Sequence, residues 1–490
     1  MAKYILKRIL FFVPTIFAIS LLTFMLMSSA PGDPAELMLN RATGGDGGQA
    51  SDKLAGDKAY KEIRKKLGLN LPLFYFSVST LASSDTLHRI DKVDHRKNLD
   101  RLVDQYGNWD KIEAYYHSIS ALEIAVLNLT KDSITTTPLI TLRGAVNDLY
   151  LNNKDVVIQS KFADIKKRLD NYPQLAAAQP AFNQTVAAYN EVLGTPTTWK
   201  NYVPAIHLNW AKNQYHRWLF GNAPLFGESD DPTVTSGFIR GDFGTSYFAK
   251  RPVGTMIWES VGYTMTISLI AILITYLISI PLGVFSAVNK DTLADQSITT
   301  GLFILYSLPS FWIATMMIIF LGGGDFFDLF PPTGVADVDS DEPFAYRFGQ
   351  QAYHLAMPLF CWTYGSFAYL SRQMRGGMLS VLRQDFIRTA RSKGLSNSTI
   401  IWKHAFRNSL FPVITIFSSV FPAMIGGSVI LEFIFSIPGM GKLGLEAVFR
   451  RDYPVVLTVT MFSSILTLVG YLISDILYAV VDPRITYGKK

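Results

Sequence analysis

The sequence is poor in the residues and motifs that enzymes and redox proteins use. It holds a single cysteine, Cys361, inside an apolar run, so it forms neither an internal disulfide nor a cysteine cluster for a metal. No G-x-x-x-x-G-K-[ST] stretch occurs, which excludes the usual loop that binds the phosphates of ATP. His88, His95 and His117 lack the spacing of metal ligands, and we expect them at the surface, in water. We therefore expect no catalytic residue, no metal site and no cofactor bound by this chain.

Charged residues are also scarce, at 17% of the 490 residues, whereas 49% are hydrophobic. This balance is typical of a membrane protein. The formal net charge is only +6, and the basic residues concentrate in one segment rather than along a stripe. We interpret that basicity as a signal of membrane topology and not as a nucleic-acid surface.

Six apolar runs are long enough to cross a bilayer, which predicts an all-α polytopic membrane protein with six transmembrane helices. The predicted spans are residues 9–27, 260–288, 298–321, 353–370, 410–433 and 455–481. The first run follows three basic residues and could be a secretory signal with a cleavage site at 28–30. It is longer than the apolar core of a signal peptide, so we expect a retained helix. We expect the second span to be interrupted at 281–283, where proline and glycine occur.

Residues 77–213 differ in composition from the rest of the chain, because charged residues are frequent and no apolar run could span a bilayer. Helical periodicity there predicts helices over 99–129, 139–151, 156–169 and 175–193. The sequence thus predicts three parts. They are 1–76 (first transmembrane helix and outer-face segment), 77–213 (helical extracytoplasmic insert between spans one and two) and 214–490 (transmembrane core). Within the first part, residues 41–60 are expected to be flexible, and the helix that follows is expected to end at Gly68.

The charges of the loops predict that both termini lie in the cytoplasm. With residues 1–8 inside, six spans place 289–297 and 372–409 inside as well, and 322–352 outside. The outer loop 322–352 carries six acidic residues and one arginine, whereas 372–409 is densely basic with Asp385 as its acid. Both loops agree with the same orientation.

The basic segment 372–409 predicts two short helices around a break. Helix formers predict the first helix over 384–393, and Gly394 is expected to end it as a C-cap. Ser396 and Asn397 are expected to begin the next helix. The apolar repeat of the first helix consists of Leu382, Phe386 and Ala390. We expect a helical finger in the cytoplasm that docks on a partner.

Several segments of the chain resemble one family. They are PGDPAE (31–36), LGLNLPL (67–73), GFIRGDFGTSYFAKRPV (237–253), RTARSKGLSNSTIIWKHAFRNSLFP (388–412), LEFIFSIPGMGKLGLEAVFRRDYPVV (431–456) and DPRITYG (482–488). Together they resemble the inner-membrane permease subunits of binding-protein-dependent ABC importers, in the dipeptide, oligopeptide and nickel branch. The resemblance covers both ends of the chain and omits the insert.

The resemblance implies a type I ABC importer permease fold that forms half of a translocation pathway for dipeptides or oligopeptides. The implied partners are a second homologous permease, two ABC ATPase subunits, an extracytoplasmic solute-binding protein and the lipid of the bacterial inner membrane. ATP and Mg would be bound by the ATPase subunits. In this family the loop corresponding to 372–409 inserts a coupling helix into the ATPase.

The resemblance also implies site residues. The coupling-loop residues are Arg388, Thr389, Ala390, Lys393, Gly394, Lys403, His404 and Arg407. The outer-gate residues are Glu432, Pro438, Gly439 and Gly441, in a loop with a tight re-entrant bend. The general family pattern has a glutamate where this chain has Arg388, so no role of that glutamate is transferred. Glu432 either meets a substrate amine or caps and pairs locally, and we expect the second.

Two other classes of function stay open from the sequence. A secondary transporter driven by an ion gradient would need buried acids within its spans, and Asp475 is the one clear example. A membrane-anchored sensor or adhesion protein would use the insert as its active part, although six spans exceed what an anchor needs. Co-purification with an ATPase would distinguish all three classes.

Overall fold

The computed structural model describes residues 2–29, 33–42, 50–83, 86–129, 136–223, 234–322, 326–410, 413 and 428–481. The chain forms two compact units, one of residues 1–30 with 243–490 and one of residues 31–242. The predicted insert 77–213 falls inside the second unit, and its boundaries stay a prediction.

Nearly all regular structure is helical. The helices are α1 (Ala2–Ser28), α2 (Pro34–Ala42), α3 (Ala50–Leu67), α4 (Val93–Tyr106), α5 (Trp109–Leu127), α6 (Thr136–Leu151), α7 (Asp155–Asn171), α8 (Gln179–Gly194), α9 (Gln214–Leu219), α10 (Val253–Val288), α11 (Leu293–Ser307), α12 (Ser310–Met317), α13 (Phe344–Leu382), α14 (Asp385–Ser392), α15 (Asn397–Thr399), α16 (Phe406–Ser409), α17 (Val429–Ile434), α18 (Met440–Arg450) and α19 (Tyr453–Val481). Short 3₁₀ turns lie at Leu87–Arg89, Pro173–Ala178, Thr198–Tyr202 and Phe238–Arg240, and π-helical turns at Ile318–Gly322 and Ile400–Ala405. Two strands, β1 (Phe76–Thr80) and β2 (Pro204–Leu208), pair antiparallel.

Among the described residues, three helices are long and apolar enough to cross a membrane. They are Tyr4–Ser28, Val253–Val288 and Tyr453–Ile476, which correspond to the predicted first, second and sixth spans. The predicted fourth span lies within α13, which is long but falls short of the same apolar character. The motif DPRITYG and most of the predicted fifth span, 411–412 and 414–427, lie outside the described residues. The count of six spans therefore stays a prediction.

The predicted third span is sharply bent. Leu293–Ser307 and Ser310–Gly322 are together long and apolar enough to cross a membrane, and their axes differ by 90°. Leu308 is extended, with ψ 128°, and Pro309 follows as the N-cap of α12. Proline restricts the residue before it to such extended conformations, so the helix stops there and restarts in a new direction. This pair is either a broken span or a re-entrant segment.

The expected interruption of the second span at 281–283 is wrong, because α10 is continuous through Pro281. Gly283 instead allows α10 and α13 to approach closely. A Cβ at Gly283 would lie 2.6 Å from both the Met374 Cβ and the Ser371 carbonyl oxygen. The Ser371 hydroxyl donates to the Ser279 carbonyl across the same contact, at 3.0 Å. Small residues commonly let transmembrane helices pack at short range.

The core of the second unit is built by α4 to α8. Its largest fully buried side chains include Tyr115, Tyr189 and Leu102. The predicted helix 99–129 is in fact two helices, because Gly107 ends α4 with φ +68°. A Cβ at Gly107 would lie 2.3 Å from the Thr197 carbonyl oxygen, so this turn also packs against the end of the insert.

Two other expectations for this unit are corrected. Residues 50–60, expected to be flexible, belong to α3, which ends at Gly68 as expected. His95, expected in water, is 6% exposed. Its imidazole bonds to the Tyr116 hydroxyl at 3.2 Å and stacks on Tyr150 with ring centroids 4.2 Å apart. A packed aromatic environment therefore accounts for this histidine, and no group of three metal-ligating side chains occurs among the described residues.

A buried ionic cluster joins the motifs PGDPAE and LGLNLPL. The Arg64 guanidinium lies 3.3 Å from the Asp33 carboxylate and donates to the carbonyls of Asp91 and Leu69 at 2.7 and 2.8 Å. Tyr60 donates its hydroxyl to Asp33. Burial, and then this hydrogen bond, raise the pKa of Tyr60 to about 12. The cluster ties the two segments of the unit that precede β1.

Candidate functional site

The finger, residues 384–409, which the loop charges predict to lie in the cytoplasm, is shaped by one glycine. At the end of α14 the Gly394 amide donates to the Arg391 carbonyl at 2.9 Å, and the Leu395 amide donates to the Ala390 carbonyl at 3.3 Å. This pair of bonds is a Schellman motif, which needs a left-handed residue at the position of Gly394. Its φ of +75° meets that need. Ser396 then caps the next helix by accepting from the Thr399 amide at 3.3 Å.

One face of the finger packs against α10 and α13. Ile387, Ala390, Ile400 and Ala405 are buried together with Val284 and Ala287 of α10 and with Met374, Met378 and Val381 of α13. The expected apolar face was partly wrong, since Phe386 is 40% exposed and Ile387 is buried in its place. An i, i+3 pair of Ile387 and Ala390 covers the core side of so short a helix. The finger is therefore joined rigidly to α10 and α13.

The other face of the finger is exposed and basic. Arg388 is exposed and pairs with Asp385 at 3.4 Å, and the Thr389 hydroxyl donates to the Asp385 carbonyl. Lys393 is the exposed C-cap of α14. On the second half, Lys403 and Arg407 are exposed, His404 is half-buried, and Trp402 is 51% exposed. Of the predicted coupling-loop residues, Ala390 alone belongs to the buried face.

An ion pair that the sequence did not reveal fixes the helix leading into the finger. The Arg375 guanidinium on α13 donates to both carboxylate oxygens of Asp295, at 3.0 and 2.6 Å. Asp295 is 3% exposed and also accepts from the Ser286 hydroxyl and, at 3.0 Å, from the Asp291 amide. Bidentate geometry makes this the strong class of ion pair. It joins the predicted inner loop 289–297 to α13.

Glu432, one of the predicted outer-gate residues, caps the start of α18. Its carboxylate is fully buried and accepts from the Gly441 and Lys442 amides at 2.7 and 3.1 Å. The Thr264 hydroxyl of α10 donates to the same carboxylate at 3.0 Å and accepts from the Met440 amide at 2.9 Å. Three amides of the first turn of α18, which have no partner inside their own helix, are thereby satisfied. This geometry matches the local alternative for Glu432.

The glycines of the IPG-x-G motif make room for that carboxylate. A Cβ at Gly439 would lie 2.5 Å from the Glu432 carboxyl carbon, and one at Gly441 would lie 2.7 Å from the Val429 Cα. Pro438 is exposed on the outer side of the bend, where Ser436 has φ +54°. Structure thus brings all four predicted outer-gate residues into one turn.

A second buried carboxylate, also missed from the sequence, holds the other end of α18. Asp452 is 3% exposed and accepts from the Ser246 hydroxyl at 2.5 Å and from the Tyr247 and Phe248 amides at 3.0 and 3.2 Å. Arg450 stacks on the Phe248 ring, 3.9 Å from its centroid. These contacts therefore join residues 246–248 of the motif GDFGTSYF to the motif RDYP and the arginine before it.

Asp475, the acid that favoured a secondary transporter, is paired. It accepts from the Tyr4 hydroxyl and lies 2.9 Å from the Arg8 guanidinium, so it joins α19 to α1. Intramembrane acids are commonly paired, and this contact links the first and last helices of the described chain.

Comparison with known proteins identifies the family. Residues 279–487 match the family described as binding-protein-dependent transport system inner membrane component. The oligopeptide transport system permease protein AppB of Bacillus subtilis is 42% identical over 250 residues, which cover 51% of this chain and 77% of the relative. The inner membrane ABC transporter permease protein YejB of Escherichia coli O157:H7 is 37% identical over 252 residues, 51% of this chain and 69% of the relative. The dipeptide transport system permease protein DppB of Bacillus subtilis is 32% identical over 279 residues, which cover 55% of this chain and 84% of the relative.

These relatives overturn the ion-gradient alternative and favour a transporter subunit over a catalyst or a sensor. The chain belongs to the family of binding-protein-dependent transport system inner membrane components, and it is a multi-pass ABC transporter permease subunit.

Proposed function

We propose that this permease imports dipeptides or oligopeptides and forms half of the translocation pathway. Its partners in this proposal are a second homologous permease, two ABC ATPase subunits that bind ATP and Mg, and an extracytoplasmic solute-binding protein. The finger 384–409 and both termini lie in the cytoplasm, and the chain itself binds no cofactor.

The observation that carries the proposal is the two-sided finger. Its inner face is buried against α10 and α13, whereas its outer face presents exposed basic and aromatic side chains. A short helical element with one face fixed to the spans and one face available can transmit movement of a docked ATPase to the pathway. Ligand binding then biases a two-state exchange between outward-open and inward-open cavities.

The outer loop completes the mechanism on the opposite side. Because α18 is held by Glu432 and Thr264 at one end and by Asp452 at the other, it moves with α10. The substrate amine proposed as an alternative for Glu432 is not needed, since its carboxylate already accepts three hydrogen bonds.

The test replaces Gly394 by valine in the reconstituted transporter complex in liposomes. A β-branched residue at φ +75° is strongly disfavoured, so it misaims the second half of the finger, although a Cβ at this position meets nothing within 4 Å. We expect peptide uptake per ATP hydrolysed to fall about tenfold, because the misaimed helix no longer transmits the movement of the ATPase.

Gly376→Val is the matched control, because Gly376 lies on the exposed face of α13 and a Cβ there meets nothing within 4 Å. We expect it to keep normal coupling. Normal uptake by Gly394→Val, or solute transport by the chain without an ATPase, would contradict the proposal.

A further inference from the structure

The small sheet of the second unit exposes apolar side chains on a face where polar side chains would be expected. β1 and β2 pair Phe76 with Leu208 and Val78 with Ile206, so these four side chains share one face. They are 58%, 65%, 68% and 69% exposed, respectively. The residues between them are small or polar, namely Ser77, Ser79, Ala205 and His207. A sheet with one face in water normally shows polar side chains on that face.

Exposed aromatic residues lie just beyond both ends of β2. Tyr202 ends the 3₁₀ turn that precedes the strand and Trp210 lies in the turn that follows it, and they are 87% and 76% exposed. Trp199 precedes them and is 59% exposed. Exposed aromatic residues thus flank the exposed aliphatic residues of β2 on both sides in the chain, and aromatic residues are enriched at membrane–water interfaces.

The charged residues of the two chain segments that form this face have one sign. Segments 71–82 and 198–212 contain no aspartate or glutamate, and their charged residues are Lys200 and Lys212. Lysines beside an apolar face complement the anionic headgroups of a lipid surface.

The dimensions of the sheet exclude a membrane-spanning role. Five residues extend about 17 Å, roughly half of the hydrocarbon core of a bilayer. Within the described residues the sheet has two strands, so each strand keeps one open edge. Open edges do not occur in hydrocarbon, but they are satisfied by water among the headgroups.

We propose that the face formed by Phe76, Val78, Ile206 and Leu208 rests in the interfacial layer of the membrane, against lipid. The side chains enter the boundary of headgroups and acyl chains to a depth of about 5–10 Å, as those of amphipathic surface elements do. The contact anchors the base of the insert, where the chain enters and leaves it, to the bilayer that the spans cross.

The test uses nitroxide labels on the full chain in nanodiscs of phosphatidylethanolamine and phosphatidylglycerol. Cys361, the single cysteine, is replaced by alanine, and a labelled cysteine is placed at Val78 or Ile206. Val156 on α7 is the matched control, a valine that is 81% exposed on a helix of the same unit. Power saturation then compares collisions with oxygen, which concentrates in lipid, and with a water-soluble nickel chelate.

We expect the ratio of oxygen to nickel accessibility to be several-fold higher at Val78 and Ile206 than at Val156. A ratio equal to that at Val156 would overturn the proposal, because the face would lie in water. Low accessibility to both reagents would also overturn it, because a protein surface would then cover the face.

A second measurement avoids the cysteine replacement. Brominated lipid should quench the tryptophan fluorescence of the native chain more than that of Trp210→Phe. Equal fractional quenching of the two proteins would count against the lipid contact.

Discussion

Gly394 in the inner finger and Gly439 in the outer loop both redirect the chain, but they exclude a side chain for different reasons. Gly394 has φ +75°, and a Cβ there meets nothing within 4 Å. Gly439 has φ −90°, which any residue adopts, yet a Cβ there would lie 2.5 Å from the Glu432 carboxyl carbon. The first glycine is required by conformation and the second by volume. Substitutions that separate these two requirements test the mechanism at each side of the membrane.

The largest effect is expected for Glu432→Ala. The change leaves the Gly441 amide and the Thr264 hydroxyl buried without their acceptor, which costs about 3 kcal/mol. We expect a lower midpoint of thermal unfolding in detergent and the loss of peptide uptake. Glu446→Ala on α18 is the control, since Glu446 is one-third exposed and its ion pairs contribute under about 1 kcal/mol. Equal midpoints of thermal unfolding for the two variants would contradict the role of Glu432 as the cap of α18.

Gly439→Ala is expected to lower the free energy of unfolding by about 1–3 kcal/mol, because the Glu432 carboxylate or the turn must shift to admit a methyl group. The cost should shrink in the Glu432→Ala background, where the clashing atoms are gone, so the two changes are not additive. Unfolding midpoints of the two single variants and the double variant measure this coupling. Gly262→Ala on α10, where a Cβ meets nothing within 4 Å, should leave the midpoint nearly unchanged. Simple additivity would show that volume is not the reason for Gly439.

The smallest effect is expected in the finger. Gly394→Ala should destabilise the end of α14 by about 1 kcal/mol, because the left-handed conformation is unfavourable for alanine. Gly394→Asn should behave nearly as the native chain, because asparagine accepts that conformation at helix ends. The ratio of peptide uptake to ATP hydrolysis in the reconstituted complex is the readout. If asparagine were as harmful as alanine, the open space around Gly394 would be filled by a partner, and conformation alone would not explain the glycine.

Features set by nearby residues were predictable from the sequence. The end of α3 at Gly68 and the break at Gly394 each follow from one residue in a helix-forming stretch. The apolar runs predicted the three candidate spans because length and hydropathy are local properties. The bend at Pro309 was visible as a proline, although its 90° angle was not.

Contacts between distant residues could not be predicted in the same way. Thr264 and Glu432 are 168 residues apart, Ser246 and Asp452 are 206 apart, and Arg375 and Asp295 are 80 apart. One signal was present in each case, namely a lone acid beside apolar sequence, which must find a partner when buried. The sequence does not say which partner, because that depends on how the helices pack.

Helix α10 contacts both the loop that Glu432 caps and the finger. Its Thr264 holds the outer loop and its Val284 lies in the core of the finger, 20 residues further along, or about 30 Å at the rise of an α-helix. A rigid rod of that length that pivots at its midpoint needs to tilt by about 12° to carry its two ends roughly 3 Å in opposite directions. Opening on one side and closing on the other can therefore be a single see-saw movement, with no signal relayed through intermediate side chains.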